Sequence, residues 1–290
     1  MSKRDGRISL LAPVTTQFAV GAGVIRYVWG HPANSGQRTR ALLRALRYQA
    51  RGRLLRRRTL ARLGERSRLW VDLHRTSASM VMYANPPDLP EMLVWRRELR
   101  EGDLFIDVGA NIGTYTLWAA ELGAEVIALE PAEDTFGLLQ QNIALNGYRV
   151  TAVRAAVGDH CGTTRFTSDL DAANCLAADG PVQADLTTID FLIGDRHVTG
   201  MKVDVEGFEI DVLRGCAHAL EERRIDLIQL EWNEKSTAAL GTDRRSLVQL
   251  LAGYGYLLYR PDPGGDLVPV ADPGFGADVF ARPAPEAARS

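Results

Sequence analysis

The sequence predicts a doubly wound α/β fold: a mostly parallel sheet with helices on both faces, preceded by a mostly helical, basic extension. Three observations carry that expectation. Leu104–Gly113 (LFIDVGANIG) is an apolar run that ends in Asp107 and passes through a turn bearing Gly109 and Gly113, the form of a buried strand feeding a tight turn and a helix. Ala124–Pro131 (AEVIALEP) repeats the strand and ends in a second acid, Glu130. From Leu104 onward strand and helix signals alternate, which calls for parallel strands joined by helical crossovers.

Ahead of that core, Gln37–Leu63 is rich in Arg, Leu and Ala, a helix-favouring composition. Leu42, Leu46 and Ala50 share one face, Gly52 interrupts the run, and the leucines are expected to pack on the domain that follows. Leu69–Tyr83 partly alternates and predicts one or two short strands. Pro86, Pro87 and Pro90 mark a break, after which Glu91–Leu99 reads as a helix with Met92, Trp95 and Leu99 on one side.

Within the core, strands are expected at Leu104–Val108, Glu125–Glu130, Val150–Ala155, Gly200–Val205 and Asp226–Glu231, with a small extra strand at Thr163–Phe166. Thr135–Leu145 reads as a helix closed by Asn146-Gly147; a helix face and a cap account for Asn142 and Asn146. Asp185–Gly194 reads as a helix N-capped by Thr187 or Thr188. Arg245–Ala252 is a helix leading to a strand at Tyr254–Tyr259, and Ala277–Ala281 is the last strand.

Charge is unevenly distributed. Met1–Arg68 holds 16 Lys/Arg and two Asp/Glu, a net +14, whereas the remainder nets −16. Such asymmetry suggests a basic appendage facing an acidic partner, a membrane surface or the chain's own acidic domain. Nucleic-acid binding would want stacking aromatics, and only Tyr48 lies in the arginine-rich run, so no nucleic-acid partner is expected. No segment has 18 uninterrupted apolar residues, so no membrane span is expected. Lys3, Arg4 and Arg7 before Ile8–Val24 imitate a signal peptide, but Pro13, Thr15, Thr16 and Gln17 break its apolar stretch. Cys161, Cys175 and Cys216 lack C-x-x-C spacing and cannot all pair, which favours a reduced, cytoplasmic compartment.

The first turn also narrows the ligand. It is neither the G-x-G-x-x-G of a dinucleotide site nor a phosphate-binding loop, which argues against a nicotinamide-dependent oxidoreductase. An acid at the strand tip suits a nucleoside with a charged amino-acid tail. Glu130, about 20 residues past the turn, stands where a carboxylate accepts ribose hydroxyls. Further along, Met201–Glu209 (MKVDVEGFE) places Lys202, Asp204 and Glu206 on one side of a strand and Met201, Val203 and Val205 on the other. Three charges on one face of a central strand demand pairing or a site. Asp204 or Glu206 is the candidate general base, with Lys202 pairing Asp204 or orienting substrate, and Glu231 a further wall. The same acids could ligate a hard divalent ion such as Mg²⁺, which is held open; a buried ion-pair network is the structural alternative. No zinc pattern is present, no metal ligand is assigned, and His160, His197 and His218 read as ordinary surface or loop residues.

D-V-G-A-N-I-G, E-P and K-V-D-V-E-G-F-E, taken together, resemble the FkbM family of S-adenosylmethionine-dependent O-methyltransferases over roughly Leu99–Phe280. The resemblance implies a Rossmann-like class I methyltransferase sheet with an antiparallel last strand. It implies that Asp107, Gly109, Ala110, Asn111, Gly113 and Thr114 form the S-adenosylmethionine loop and that Glu130 holds the ribose. Ala156–Asp159, with Val157 and Asp159, would lie near the adenine. The acceptor would be a hydroxyl of a small molecule, of sugar or polyketide type, free or linked to a carrier or glycan. Methylation of N or C stays open, although no N-P-P-Y motif is present. The chain would divide into a basic extension (1–90), a methyltransferase domain (91–283) and a disordered tail (284–290). A binding protein that keeps the fold without its chemistry is the alternative, against which the intact acids speak.

Overall fold

The computed structural model describes residues 22–73, 76–166, 182–232, 244–274 and 276–285. The apolar segment Ile8–Val24 lies almost wholly, and the expected disordered tail mostly, outside them. Helix α1 (residues 22–30) and a short 3-10 turn lead to α2 (Arg38–Leu55), the hairpin β1 (Thr59–Leu63) and β2 (Ser67–Val71), α3 (Thr76–Tyr83) and α4 (Leu89–Glu98). The core follows as β3 (Leu104–Val108), α5 (Thr114–Glu121), β4 (Glu125–Leu129), α6 (Glu133–Asn146), β5 (Val150–Val153), β6 (Ala155–Val157), β7 (Gly162–Phe166) and β8 (Val182–Thr187). It continues with α7 (Ile189–Ile193), β9 (Val198–Val203), α8 (Glu209–Arg214), α9 (Ala217–Glu221), β10 (Ile225–Leu230), α10 (Arg244–Gly253), β11 (Tyr256–Pro261), β12 (Leu267–Pro269) and β13 (Val279–Pro283).

Eight strands form the main sheet in the order β12-β11-β13-β10-β9-β3-β4-β5. The run β5-β4-β3-β9-β10 is parallel, and β13 enters antiparallel between β10 and β11. Strand order reverses between β3 and β9, and ligands of open α/β sheets bind beyond the strand ends at such a point. One core, containing Trp95, Phe105, Trp118 and Phe280, lies on the face covered by α4, α5 and α6. The other, containing Ile106, Met201, Ile228 and Leu251, lies beneath α7 to α10. Register sets Asp107 beside Lys202, and Lys202 beside Gln229, a polar row across three central strands.

Several element expectations change. Helix α2 does not break at Gly52; a Cβ there would stand 2.7 Å from Leu73 Cδ2, so the glycine lets the helix approach Leu73, two residues past β2. The helix stops at Leu55, capped by Arg56 at φ 48°, and Thr59–Leu63 is a strand. The face it buries is Ala41, Ala45, Tyr48 and Gly52, not Leu42, Leu46 and Ala50. Small residues let α2 approach its neighbours; Leu42, half-buried, still packs at the edge of the core, while Leu46 and Ala50 turn outward.

Alternation in Leu69–Tyr83 ends at Val71, and residues 76–83 are helical. The expected strand Val150–Ala155 divides because the chain leaves the main sheet after Val153 and joins a small sheet, β6-β8-β7. Asp185–Thr187 extends β8; only Ile189–Ile193 is helical, with Thr188 Oγ1 accepting from Phe191 N at 3.1 Å. Asn142 and Asn146 do more than cap. Asn142 Oδ1 accepts from Trp70 N at 2.7 Å, and the Asn146 side chain bonds both backbone groups of Arg68, so α6 satisfies the outer edge of β2. No helix among the described residues is long and apolar enough to cross a membrane.

Candidate active site

The loop after β3 is drawn against its neighbours by backbone bonds. Gly109 and Ala110 N–H both donate to Leu129 O, at 3.0 and 2.9 Å. Gly109 has φ +79°, and a Cβ on it would sit 1.9 Å from the Asp204 carbonyl oxygen, so only glycine fits. Asn111 is at φ 51°, a left-handed conformation that Asn tolerates. Its N–H donates to Glu130 Oε2 at 3.0 Å, while Glu130 Oε1 accepts from Ala132 N at 3.0 Å. The Glu130 carboxylate therefore ties the turn to the end of β4. Gly113, at φ +98°, starts α5, and Thr114 is its first residue.

Asp107 is buried. Its Oδ2 accepts from Thr116 Oγ1 at 2.6 Å, and its Oδ1 accepts no hydrogen bond among the described residues. Burial raises its pKa, with the Lys202 ammonium opposing. Val157 packs into the core beneath α7 and α9, and its strand pairs with β8 opposite Thr187. Asp159 is exposed and meets His160 Nδ1 at 2.6 Å. A groove of about 250 Å³ lined by Pro131, Arg154, Gln183, Ala184 and Asp185 opens next along the chain from Glu130.

The second cluster gathers at the carboxyl ends of β9 and β10. Lys202, buried, places Nζ 2.7 Å from Asp204 Oδ2 and 4.6 Å from the Tyr115 ring centroid. Burial alone would lower the pKa of its ammonium, but the carboxylates of Asp204, Asp107 and Asp278 outweigh it and raise it. Glu206, at φ 53°, and Gly207, at φ +108°, turn the chain sharply after the strand. Asp204, Glu206 and Glu231 each bring a carboxylate oxygen within 4.8 Å of the others. Burial, with the charges of Asp204, Glu206 and Glu209, pushes the Glu231 carboxyl up to about 9. Glu209 points inward instead, where Oε2 pairs with Arg244 Nη1 at 3.0 Å and Arg244 stacks over Trp232 at 5.0 Å.

Sequence reading missed several partners. Gln229, fully buried, donates through Nε2 to Asp278 Oδ2 at 2.7 Å and to Tyr115 OH at 3.1 Å, and its Oε1 accepts from Trp95 Nε1. Burial pushes Asp278 up to about 7 against the pull of Lys202. Thr116, Tyr115 and Gln229 carry no motif. The available signal was a lone Gln inside the apolar run of β10, since a buried amide must find partners.

A sheet of this order, with β13 reversed, has the Rossmann-like class I methyltransferase fold. Residues 107–258, more than half of the chain, match the family model described as the methyltransferase FkbM domain, and the chain belongs to the FkbM methyltransferase family. It is 29% identical over 161 residues to the hexuronic acid methyltransferase AglP of Haloferax volcanii, covering 53% of this chain and 64% of that one. It is 40% identical over 77 residues to the 31-O-demethyl-FK506 methyltransferase FkbM of Streptomyces tacrolimicus, covering 26% and 30%. The chain thus spans less than two-thirds of either relative. Among solved structures it resembles a SAM-dependent O-methyltransferase from Thermotoga maritima, with 17% identity, TM-score 0.41, and coverage of 70% and 67%.

Proposed function

We propose that the protein is an S-adenosylmethionine-dependent O-methyltransferase acting on a hydroxyl of a small molecule of sugar or polyketide type, free or held on a carrier or glycan, in the cytoplasm. The observation that carries this reading is the pairing of two sites across β3. On one side Glu130 grips the glycine turn; on the other Asp204, Glu206 and Lys202 gather at the tip of β9. The residues present fit the cofactor. Gly109 lets the turn close against the Asp204 backbone, where a Cβ would collide, and so holds the two loops together; the open acceptor on Asp107 suits a cationic amine. Glu130, at the end of β4 beside the turn, would hold the ribose. The groove beside Pro131, with Val157 and Asp159 nearby in sequence, would take the adenine. When bound, S-adenosylmethionine supplies a methyl carbon on a positively charged sulfur. Such a leaving group asks the protein for alignment, exclusion of water and removal of one proton.

Asp204 is the residue for that proton. Lys202 fixes one of its oxygens, and it stands over the tip of the strand beside Glu206. Glu231, carrying its proton at neutral pH, would donate a hydrogen bond to the acceptor oxygen and orient it. The three carboxylates also fit Mg²⁺ as oxygen ligands; in that case all three are ionised and the metal orients the acceptor. Activity that vanishes on exhaustive EDTA treatment and returns with Mg²⁺ selects the metal arrangement; activity that survives rules it out.

Calorimetric titration with S-adenosylhomocysteine, with NAD as control, tests the reading. Micromolar binding of the former, lost in a folded Glu130→Ala variant, and no response to NAD are expected. Absence of binding to folded protein would sink the assignment. Binding without turnover on a broad hydroxyl panel would point to the non-catalytic alternative.

A further inference from the structure

The outer face of α2 has no role in the site. With 100° between successive residues, Ala41, Ala45, Tyr48 and Gly52 face inward and are buried. Leu43, Leu46, Ala50 and Leu54 fall on the opposite side, and the three leucines are 47%, 49% and 81% exposed. Arg40, Arg47 and Arg51 lie along one shoulder of this stripe and Arg38 and Arg53 along the other. All are exposed, and none has a carboxylate partner among the described residues. Arg56, Arg57 and Arg58 extend the charge past the helix end, and Trp29, 47% exposed, lies 6.0 Å from the Arg38 guanidinium. Between Asp5 and Glu65 there is no acidic residue.

We propose that α2 is a docking face for an anionic lipid surface, lying flat with its leucine stripe in the headgroup boundary and its arginines against lipid phosphates. An apolar stripe with basic shoulders and an aromatic residue at one end is the pattern of an interfacial helix. At 18 residues the helix offers about 27 Å of such surface. Charge selects the occupant. A second copy would set arginine rows against arginine rows in an isologous contact. A nucleic acid would leave the leucines unused, and the helix's aromatic residue, Tyr48, is buried. The rest of the chain nets −16, so an anionic membrane attracts this face and repels the others, which fixes orientation.

Vesicle co-sedimentation of the full chain tests the proposal, with phosphatidylcholine alone and phosphatidylcholine containing about one-third phosphatidylglycerol, given ~1 kcal/mol per basic residue near an anionic surface. Binding to the anionic vesicles only, weakened by salt, is expected. Arg40→Gln/Arg47→Gln/Arg51→Gln should weaken it about 100-fold, that energy taken over three charges. Leu43→Asn/Leu46→Asn/Leu54→Asn should also release the protein while leaving its circular dichroism spectrum unchanged, because these side chains touch solvent in the fold. Four outcomes overturn the proposal. Three are equal binding to both vesicle types, anionic binding that both triple variants retain, and a dimer in sedimentation that the leucine variant dissolves. Tight binding to RNA by the leucine variant, with no vesicle binding by the parent, likewise assigns the face to a polyanion other than lipid.

Discussion

Glu231 is where a single residue makes the chemistry testable. Its carboxyl sits beside those of Asp204 and Glu206 and is pushed up to about 9, far above an unfolded glutamate near 4.5. The folded state therefore holds a proton that the unfolded state gives up. That contribution to stability is fully present below the unfolded value and is lost as pH rises through the folded one. Glu231→Gln cannot ionise. In EDTA, its unfolding midpoint should match the parent near pH 5 and exceed it increasingly toward pH 9; parallel pH profiles in denaturant titrations would contradict the assignment. Asp204→Asn belongs to the same scale. With Lys202 still able to bond the amide, kcat should fall by about 100-fold or more, in the range for a lost general base, while the variant still folds and unfolds cooperatively in denaturant. Loss of both activity and fold would instead mark Asp204 as part of a structural ion-pair network.

At the scale of elements, the β1–β2 hairpin depends on a carboxylate from α5. Glu121 accepts from Glu65, Arg66 and Ser67 N–H at 2.7, 3.1 and 2.6 Å. Burial alone would raise its pKa, but these donors and the Ser67 hydroxyl prevail and lower it. Glu121→Ala leaves three amides of the turn without their acceptor and should cost about 1–3 kcal/mol, measured by urea denaturation. A loss under a few tenths of a kcal/mol would mean that water replaces the carboxylate freely. Because the folded pKa is depressed, this contribution holds above the unfolded value and fades as pH falls. Legibility differed sharply between elements. The strands β3, β4, β9 and β10 were readable because burial on both faces makes them continuous apolar runs. The hairpin was not, because its partners Glu121, Asn142 and Asn146 lie 54 to 78 residues away in sequence.

For the whole molecule, the basic N-terminal part and the sheet share one core. Val28, Ala45, Tyr48, Leu63 and Leu69 belong to the same buried cluster as Trp95, Trp118 and Phe280. A chain lacking residues 22–83 should therefore expose the outer faces of α5 and α6 and lose cooperative unfolding, visible as a featureless near-UV spectrum and aggregation on gel filtration. A sharp two-state transition in that truncated chain would show instead that the sheet domain folds alone.

By itself, the sequence determined the doubly wound sheet, the glycine turn with its flanking acids, the charge asymmetry and the family, because each is written in contiguous residues whose periodicity or spacing has one cheap conformation. The row Asp107–Lys202–Gln229, the meeting of Asp204 and Glu206 with Glu231, and the inward turn of Glu209 to Arg244 were decided only by strand register and crossover packing. The same holds for the leucines of α2. A helical wheel gives two apolar faces, and only the close approach of Ala41, Ala45 and Gly52 to their neighbours determines which one is buried and which one faces outward.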